Sequence, residues 1–188
     1  MMRFPSKLTL DPDTSAALSS LVDGLTPLDP LLAGLDTIDA ADIPPPCHDL
    51  LVHSNHMTST LQNYYSGAME LHVVKDHAAK EDYRRMILLT VEGTTKVVEF
   101  GIVRIDLTLT SAEVRAAILA RTTPLGEILE RHNVLRRVEP LTFLRFQSPS
   151  PVLTYFSGQD AYGRIAVIHC DGQPAIELLE VVPGGAGE

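Results

Sequence analysis

An arginine in the middle of the chain interrupts an apolar row and could bind an anion. In the run 83–91, alternate residues share one face of a strand, which places Arg85 in line with Ile87 and Leu89. A guanidinium on an apolar face must find an anion or extend to water at the end of the strand. Because Arg85 stands near the start of the run, the sequence leaves both interpretations open.

A glutamate near the C-terminus has a similar setting. The pair Asp171-Gly172 suits a two-residue type I′ hairpin turn, and the register that follows from it pairs Gly163 with Glu180. Glu180 then lies in an apolar row, where its carboxyl group would be shielded from water. Its neighbour Gly163 has no side chain, which leaves space beside this carboxyl group. The alternatives are that Glu180 faces water at the sheet edge, or that the buried acid is Glu177, on the opposite face of the strand.

A third candidate is the start of a helix predicted over 124–132. Thr123 is an N-cap residue type, and Pro124 suits the first helical position. The amides of Leu125 and Gly126 are unpaired in such a turn, and Gly126 has no side chain to block a ligand, so this turn could bind a carboxylate. The more common alternative is an ordinary capped helix whose glycine packs closely against a neighbour.

A sheet and a few helices must position these residues. Runs rich in β-branched and aromatic residues predict strands at 69–74, 83–91, 97–107, 141–146, 152–156, 165–170 and 175–182. Helical spacing and caps predict helices from residue 55 to about 67, over 111–120 and over 124–132. Strands joined by short turns, with a helical pair inserted, predict an α+β fold: an antiparallel β-sheet with helices packed on it.

The first fifty residues differ in composition from the rest of the chain. They hold seven of the thirteen prolines and eight acidic residues, against only two basic ones. Prolines break regular elements, although apolar residues at helical spacing predict a short helix near 15–25. The sequence therefore predicts a Pro-rich acidic N-terminal arm over 1–50, followed by one domain over 51–188.

Composition narrows the classes of function. A net charge of −9 argues against general nucleic-acid binding, and the apolar runs are far shorter than the ~20 residues of a membrane helix. Cys47 and Cys170 cannot form a disulfide framework, and the chain does not open on a charged-then-apolar leader, so we expect a cytoplasmic protein. The spacing of His48, His53 and His56 fits no standard zinc pattern, so we expect no metal. The sequence contains no phosphate loop or dinucleotide fingerprint, so we expect no cofactor.

Several short motifs, taken in order, resemble the chorismate pyruvate-lyase (4-hydroxybenzoate synthase) family. They are His56-Met57-Thr58, Arg85-Met86-Ile87, Gly101, Arg121-Thr122-Thr123-Pro124-Leu125-Gly126, Tyr162-Gly163-Arg164, Gly172-Gln173-Pro174 and Glu180. The similarity spans about residues 50–183, with similar gaps between the motifs. The resemblance implies a chorismate-lyase-like fold, in which helices packed on an antiparallel sheet surround a small enclosed ligand cavity.

The resemblance also implies a reaction, the elimination of pyruvate from chorismate to give 4-hydroxybenzoate without a cofactor. Arg85 and Glu180 would be the catalytic residues. Arg85 would pair with a substrate carboxylate, while Glu180 would manage the proton or hold the ring hydroxyl. The substrate-binding residues would be Met57, Leu125, Gly126 and Gly101.

The chain departs from the family pattern at Ile102, where better-known bacterial members carry a second arginine. Loss of one cation from a site for a dicarboxylate permits a different substrate, so two further functions stay open. One is an enzyme of related fold that acts on another small aromatic or polyketide-like substrate in secondary metabolism. The other is a non-catalytic module that binds small aromatic acids, since the same fold serves as an effector-sensing domain in transcription regulators.

Overall fold

Seven strands form one antiparallel sheet in this computed structural model, which describes residues 10–185. The strands are β1 (Leu35–Ile38), β2 (Met69–Ala78), β3 (Asp82–Val91), β4 (Val97–Asp106), β5 (Arg136–Phe146), β6 (Ala161–Cys170) and β7 (Gln173–Pro183). Their order across the sheet is β1-β5-β6-β7-β4-β3-β2. The predicted α+β class with an antiparallel sheet is confirmed; residues 1–9 of the predicted arm and 186–188 of the predicted domain lie outside the described residues.

Within residues 10–185, six α-helices and three short 3-10 helices accompany the sheet. The α-helices are α1 (Pro12–Val22), α2 (Leu28–Leu32), α3 (Cys47–Leu51), α4 (Met57–Tyr65), α5 (Ala112–Leu119) and α6 (Leu125–Arg131). The 3-10 helices are Ala40–Asp42, Leu107–Leu109 and Pro151–Phe156. Of the helices in residues 10–185, none has the length and apolar character needed to span a bilayer.

The strand predicted at 152–156 is wrong, because this segment forms a 3-10 helix instead. Its buried side chains are Val152, Leu153 and Phe156, which is helical spacing rather than the alternation of a strand. Pro151 at the first position suits the start of a helix, since its fixed backbone angle is already helical. The strand was predicted from the β-branched and aromatic residues of this run, and that composition did not reveal the helical spacing of its buried side chains.

Helices cover both faces of the sheet. We call the face that carries Arg85 on β3, Gly101 on β4 and Glu180 on β7 the pocket face. Gly101 pairs with Glu180, and Arg85 pairs with Val103, which shares this face with Gly101. Helices α3 to α6 pack on the pocket face and bury apolar residues against it, among them Leu50, Leu61, Ile118 and Leu129. Helices α1 and α2, with the 3-10 helix at 151–156, cover the opposite face.

Part of the predicted N-terminal arm is built into the sheet and its core. Strand β1 pairs antiparallel with β5, with Leu35 opposite Phe146, and so forms one edge of the sheet. Helix α1 begins after Asp11, whose side chain accepts a hydrogen bond from the Thr14 amide, and it buries Leu18 completely. The helix agrees with the short helix predicted near 15–25, whereas β1 was not predicted.

Both cysteine thiols are buried and free, which gives a direct test of the packing. Burial raises the pKa of Cys47 and of Cys170 to about 11, so both thiols stay protonated near neutral pH. We expect neither thiol to react with Ellman's reagent at pH 8 in the folded protein, and both to react in guanidinium chloride. Rapid reaction of the native protein would contradict the packing of α3 and β6.

Candidate functional site

A pocket lies between the pocket face of the sheet and the first turns of α4 and α6. All six predicted site residues line it: Met57, Arg85, Gly101, Leu125, Gly126 and Glu180. Much of the remaining lining is apolar, from Leu71, Ile87, Leu89, Val103, Ile168 and Leu178. The cavity volume that is open to the centres of water-sized molecules is about 60 Å³, so only a small ligand fits in the pocket.

The strand register explains why residues far apart in the sequence meet here. Gly101 pairs with Ile87 on one side and with Glu180 on the other, so these residues form one row across the pocket face. Arg85 pairs with Val103 in the next row. From the spacing of strands and residues, the α-carbons of Arg85 and Glu180 are about 12 Å apart. Two charged side chains thus stand at separate ends of an apolar pocket.

Arg85 is a buried cation without a complete set of partners. Only 2% of the residue is exposed, and its Nε and Nη1 atoms make no hydrogen bond within the described part of the chain. Burial lowers the pKa of the guanidinium, yet arginine remains charged under physiological conditions. The interpretation that Arg85 extends to water is therefore wrong. Buried donors without a hydrogen-bond partner are costly, so this position favours an anion.

The nearest carboxylate to Arg85 along the sheet is already paired elsewhere. A β-bulge between Val73 and Lys75 turns Asp76 to the position opposite Arg85 on β3. Asp76 forms an ion pair with Arg121, 2.7 Å from Arg121 Nη2 to Asp76 Oδ2. This pair leaves the Nε and Nη1 donors of Arg85 available to a ligand.

The predicted pairing of Gly163 with Glu180 is wrong, because the hairpin contains a bulge. The turn at 171–172 is as predicted, with Cys170 opposite Gln173, but the register shifts between Ile168 and His169. Pro174 has no N–H to donate to the ladder, and prolines within sheets are confined to edges and bulges. After the shift, the partner of Glu180 on β6 is Arg164.

Arg164 is fully buried and links the sheet to the segment between α3 and α4. Its Nε donates to Glu180 Oε2 at 2.6 Å. Its Nη1 donates to the carbonyl oxygens of Leu51 at 3.0 Å and His53 at 2.8 Å, and its Nη2 donates to that of Asn55 at 3.2 Å. Glu180 is thus one half of a buried ion pair, not an isolated acid.

A second buried acid, Glu99, lines the pocket and was missed by the sequence analysis. The residue is 4% exposed, and its Oε2 has no hydrogen-bond partner among the described residues. Burial and the neighbouring Glu180 carboxylate raise the pKa of Glu99 well above its usual value, although Arg164 opposes the shift. The signal was present, since Glu99 stands two and four residues before Gly101 and Val103, and so shares a strand face with them as Arg85 does with Ile87 and Leu89.

The two predicted pocket glycines have different surroundings. A Cβ on Gly101 would lie 3.1 Å from the Ile87 side chain and 3.4 Å from Glu99 Oε1, so the absent side chain leaves space for these groups. A Cβ on Gly126 would lie 3.3 Å from both His56 Cβ and Thr58 Oγ1. Gly126 thus lets α6 pack against the start of α4, beside the pocket.

The three neighbouring histidines do not converge on one point. The nitrogen atoms of His53 lie 2.7 Å from the Leu50 carbonyl oxygen and 3.3 Å from Arg164 Nη1, whereas His56 Nε2 accepts from Arg136 Nε. Burial and the nearby Arg136 lower the pKa of His56 to about 4, so its ring is neutral. In the range 10–185, no group of three or more His, Cys, Asp or Glu side chains is placed to hold a metal ion.

Glu99 should couple the stability of the fold to pH. Its pKa is raised in the folded state, so above about pH 4.3 the folded protein keeps a proton that the unfolded chain has lost. Stability contributed by this group therefore falls as the pH rises. We expect Glu99→Gln to raise the melting temperature at pH 8, with a smaller gain at pH 5.

The exposed Glu92 provides the control for this measurement. Glu92→Gln should leave the melting temperature nearly unchanged at both pH values, because substitutions of exposed side chains usually change the stability by less than about 0.5 kcal/mol. A Glu99→Gln protein that is less stable than the wild type at pH 8 would show that Glu99 is ionised and paired in the folded state.

Comparisons with known proteins give a fold and no family. No protein-family model matches the sequence, and no curated protein matches it significantly. PhnF from Mycobacterium smegmatis superimposes with a TM-score of 0.52 at 10% sequence identity, over 71% of this chain and 65% of that chain. The fold is chorismate-lyase-like. The match spans less than two thirds of the PhnF chain.

Two further solved structures superimpose less well. The effector domain of the same PhnF gives a TM-score of 0.47 at 9% identity, over 69% of this chain and 89% of the domain. A transcriptional regulator of the GntR family from Enterococcus faecalis V583 gives 0.45 at 12% identity, over 63% of this chain and 96% of that chain. At such low identity the comparisons bear on the fold alone.

Proposed function

We propose that this protein binds a small carboxylate ligand, about the size of one aromatic ring, in the pocket beside α4 and α6. The observation that carries the proposal is Arg85, a buried guanidinium whose Nε and Nη1 have no partner among the described residues. A carboxylate accepts two parallel hydrogen bonds from such a group, and this pairing is among the strongest in proteins. The ligand would supply the anion that the fold leaves out.

The pocket's composition limits the rest of the ligand. Beyond Arg85, the walls are mainly apolar, from Ile87, Leu89 and Leu178 on the sheet and from Met57 and Leu125 on the helices. Apolar walls with a few placed polar groups are typical of small-molecule sites. A flat ring contacts such walls on both sides, so Met57 and Leu125 would lie against the ring while Arg85 holds its carboxylate.

A binding role agrees with the descriptions of the structural neighbours. They are described as transcriptional regulators or as the effector domain of one. Those descriptions belong to other proteins of very low identity, so the weight of the proposal rests on Arg85 and on the pocket that surrounds it.

Catalysis of pyruvate elimination from chorismate is the second candidate function. The observation that favours it is that one pocket brings together Arg85, Glu180, Met57 and Leu125, the residues to which the lyase resemblance assigns roles. In that reaction the C–O bond to the enolpyruvyl group breaks, a proton leaves the neighbouring ring carbon, and the released enolpyruvate takes up a proton. Arg85 would orient the ring carboxylate, and Glu180 would stand at the opposite end of the ring.

Two measurements test these functions separately. Titration calorimetry with 4-hydroxybenzoate should give saturable binding, and the neutral analogue 4-hydroxybenzamide should bind at least tenfold more weakly because it cannot pair with Arg85. Equal affinity for both compounds, or no binding of either, would contradict the proposal. Incubation with chorismate, with pyruvate followed by a coupled assay, then decides between a binding protein and a lyase.

A further inference from the structure

Glu99 occupies a position in the pocket that none of the roles above uses. Its carboxyl group lies over Gly101, and its Oε1 is 3.4 Å from the position that a Cβ added to Gly101 would take. Its other oxygen, Oε2, is buried and makes no hydrogen bond to any described residue. The acid therefore has an unused polar atom at the wall of the pocket, at some distance from Arg85.

Among the described residues, the charged groups around Glu99 give it no cation of its own. Arg164 is the positive group near both acids, and its Nε is bonded to Glu180. Its Nη1 and Nη2 donate to the carbonyl oxygens of three residues between α3 and α4. Two neighbouring carboxyl groups that share one cation cannot both ionise readily, so one of them retains a proton. Because Glu180 holds the cation, Glu99 is the acid that keeps its O–H.

We propose that Glu99 is a specificity residue that donates a hydrogen bond to an oxygen atom on the ligand, at the end opposite the carboxylate held by Arg85. This inference rests on the proposed binding function and names the ligand class: ring carboxylates that carry a hydroxyl group across the ring. A hydroxyl group can accept from Glu99 and donate to the Glu180 carboxylate. Both partners are buried, so a ligand without that oxygen leaves a polar atom unpaired.

The pairing of β3 with β4 sets the distance between the two residues that such a ligand must reach, Arg85 and Glu99. Arg85 pairs with Val103, and Glu99 lies four residues before Val103 on β4. This separation gives about 14 Å between the α-carbons of Arg85 and Glu99 along the strands. Long side chains from both ends can shorten this span to the length of a single ring with one polar group at each end.

Affinities of benzoate and 4-hydroxybenzoate, measured by titration calorimetry, test the inference in three proteins. The wild type should prefer 4-hydroxybenzoate at least tenfold. Glu99→Leu should lose this preference, mainly through weaker binding of 4-hydroxybenzoate, because the O–H donor is gone. Glu99→Gln should keep most of the preference, because its amide group also donates; it also serves as the test if the leucine variant does not fold.

The outcomes separate this inference from the function on which it rests. If the wild type binds neither compound, both are overturned. If the wild type binds both compounds with equal affinity, or if Glu99→Leu retains the preference, the pocket is a carboxylate site and the role of Glu99 is overturned. A purely structural role for Glu99 would lower the affinity of both compounds together, which also contradicts the inference.

Discussion

Replacing Arg85 by methionine is expected to abolish ligand binding while leaving the fold at least as stable. Removal of one partner from a buried, hydrogen-bonded charge pair costs about 2–5 kcal/mol of binding energy, so the affinity for 4-hydroxybenzoate should fall about thirtyfold or more. The folded protein loses a buried cation that has unpaired donors, and methionine fills a similar volume. Calorimetry and thermal melting measure the two effects on one sample.

Arg84 is the matched control for this experiment. It is the preceding residue on β3 and faces the other side of the sheet, where it forms an ion pair with Asp82 and donates from Nε to the Ser20 carbonyl oxygen at 3.0 Å. Arg84→Met should therefore leave the affinity unchanged and lower the stability. Wild-type affinity in Arg85→Met would remove the basis of the proposed site.

The largest loss of stability is expected from Arg164→Met. The arginine is completely buried, and its removal leaves Glu180 without its partner and takes one hydrogen-bond donor away from each of three backbone carbonyl oxygens. Breaking a buried ion pair by removing one partner costs about 3–5 kcal/mol. Urea denaturation at pH 7 should show a loss of this size.

Arg104 provides the comparison, since it pairs with a glutamate of the same strand. It lies on the opposite face of the sheet, where it pairs with Glu177 at 3.0 Å and with Asp82 at 3.1 Å, and all three side chains are partly exposed. Exposed pairs contribute about 0–1 kcal/mol, so Arg104→Met should have a small effect. Equal losses in the two variants would show that Arg164 and Glu180 are exposed to water in solution.

The sequence predicted the members of the pocket better than their pairing. Alternation placed Arg85 and Glu180 in apolar rows but left their burial open, and the family resemblance assigned both to one site; both do line one pocket. The partner of Glu180 was wrong by one residue, because a bulge beside Pro174 shifts the register after the turn. Because the register is shifted by one residue, Glu180 lies opposite Arg164 and not opposite Gly163. Glu180 is therefore half of an ion pair and not an isolated acid.

Two other features depend on contacts that a local pattern does not contain. Strand β1 has only four residues, and it exists because β5, about a hundred residues later, offers an edge to pair with. The raised pKa of Glu99 depends on Glu180 and Arg164, which come from two other strands. The alternation that placed Arg85 also places Glu99, so its position could have been predicted, but its charge state could not.

A crystal structure of the protein with 4-hydroxybenzoate tests the central claim most directly. The account predicts the ligand carboxylate about 2.7–2.9 Å from Nε and a terminal nitrogen of Arg85, with the ring between Met57 and Leu125. The ring hydroxyl should then lie within hydrogen-bond distance of Glu99 and Glu180. A ligand bound elsewhere, or a pocket that stays empty at saturating ligand, would contradict the account.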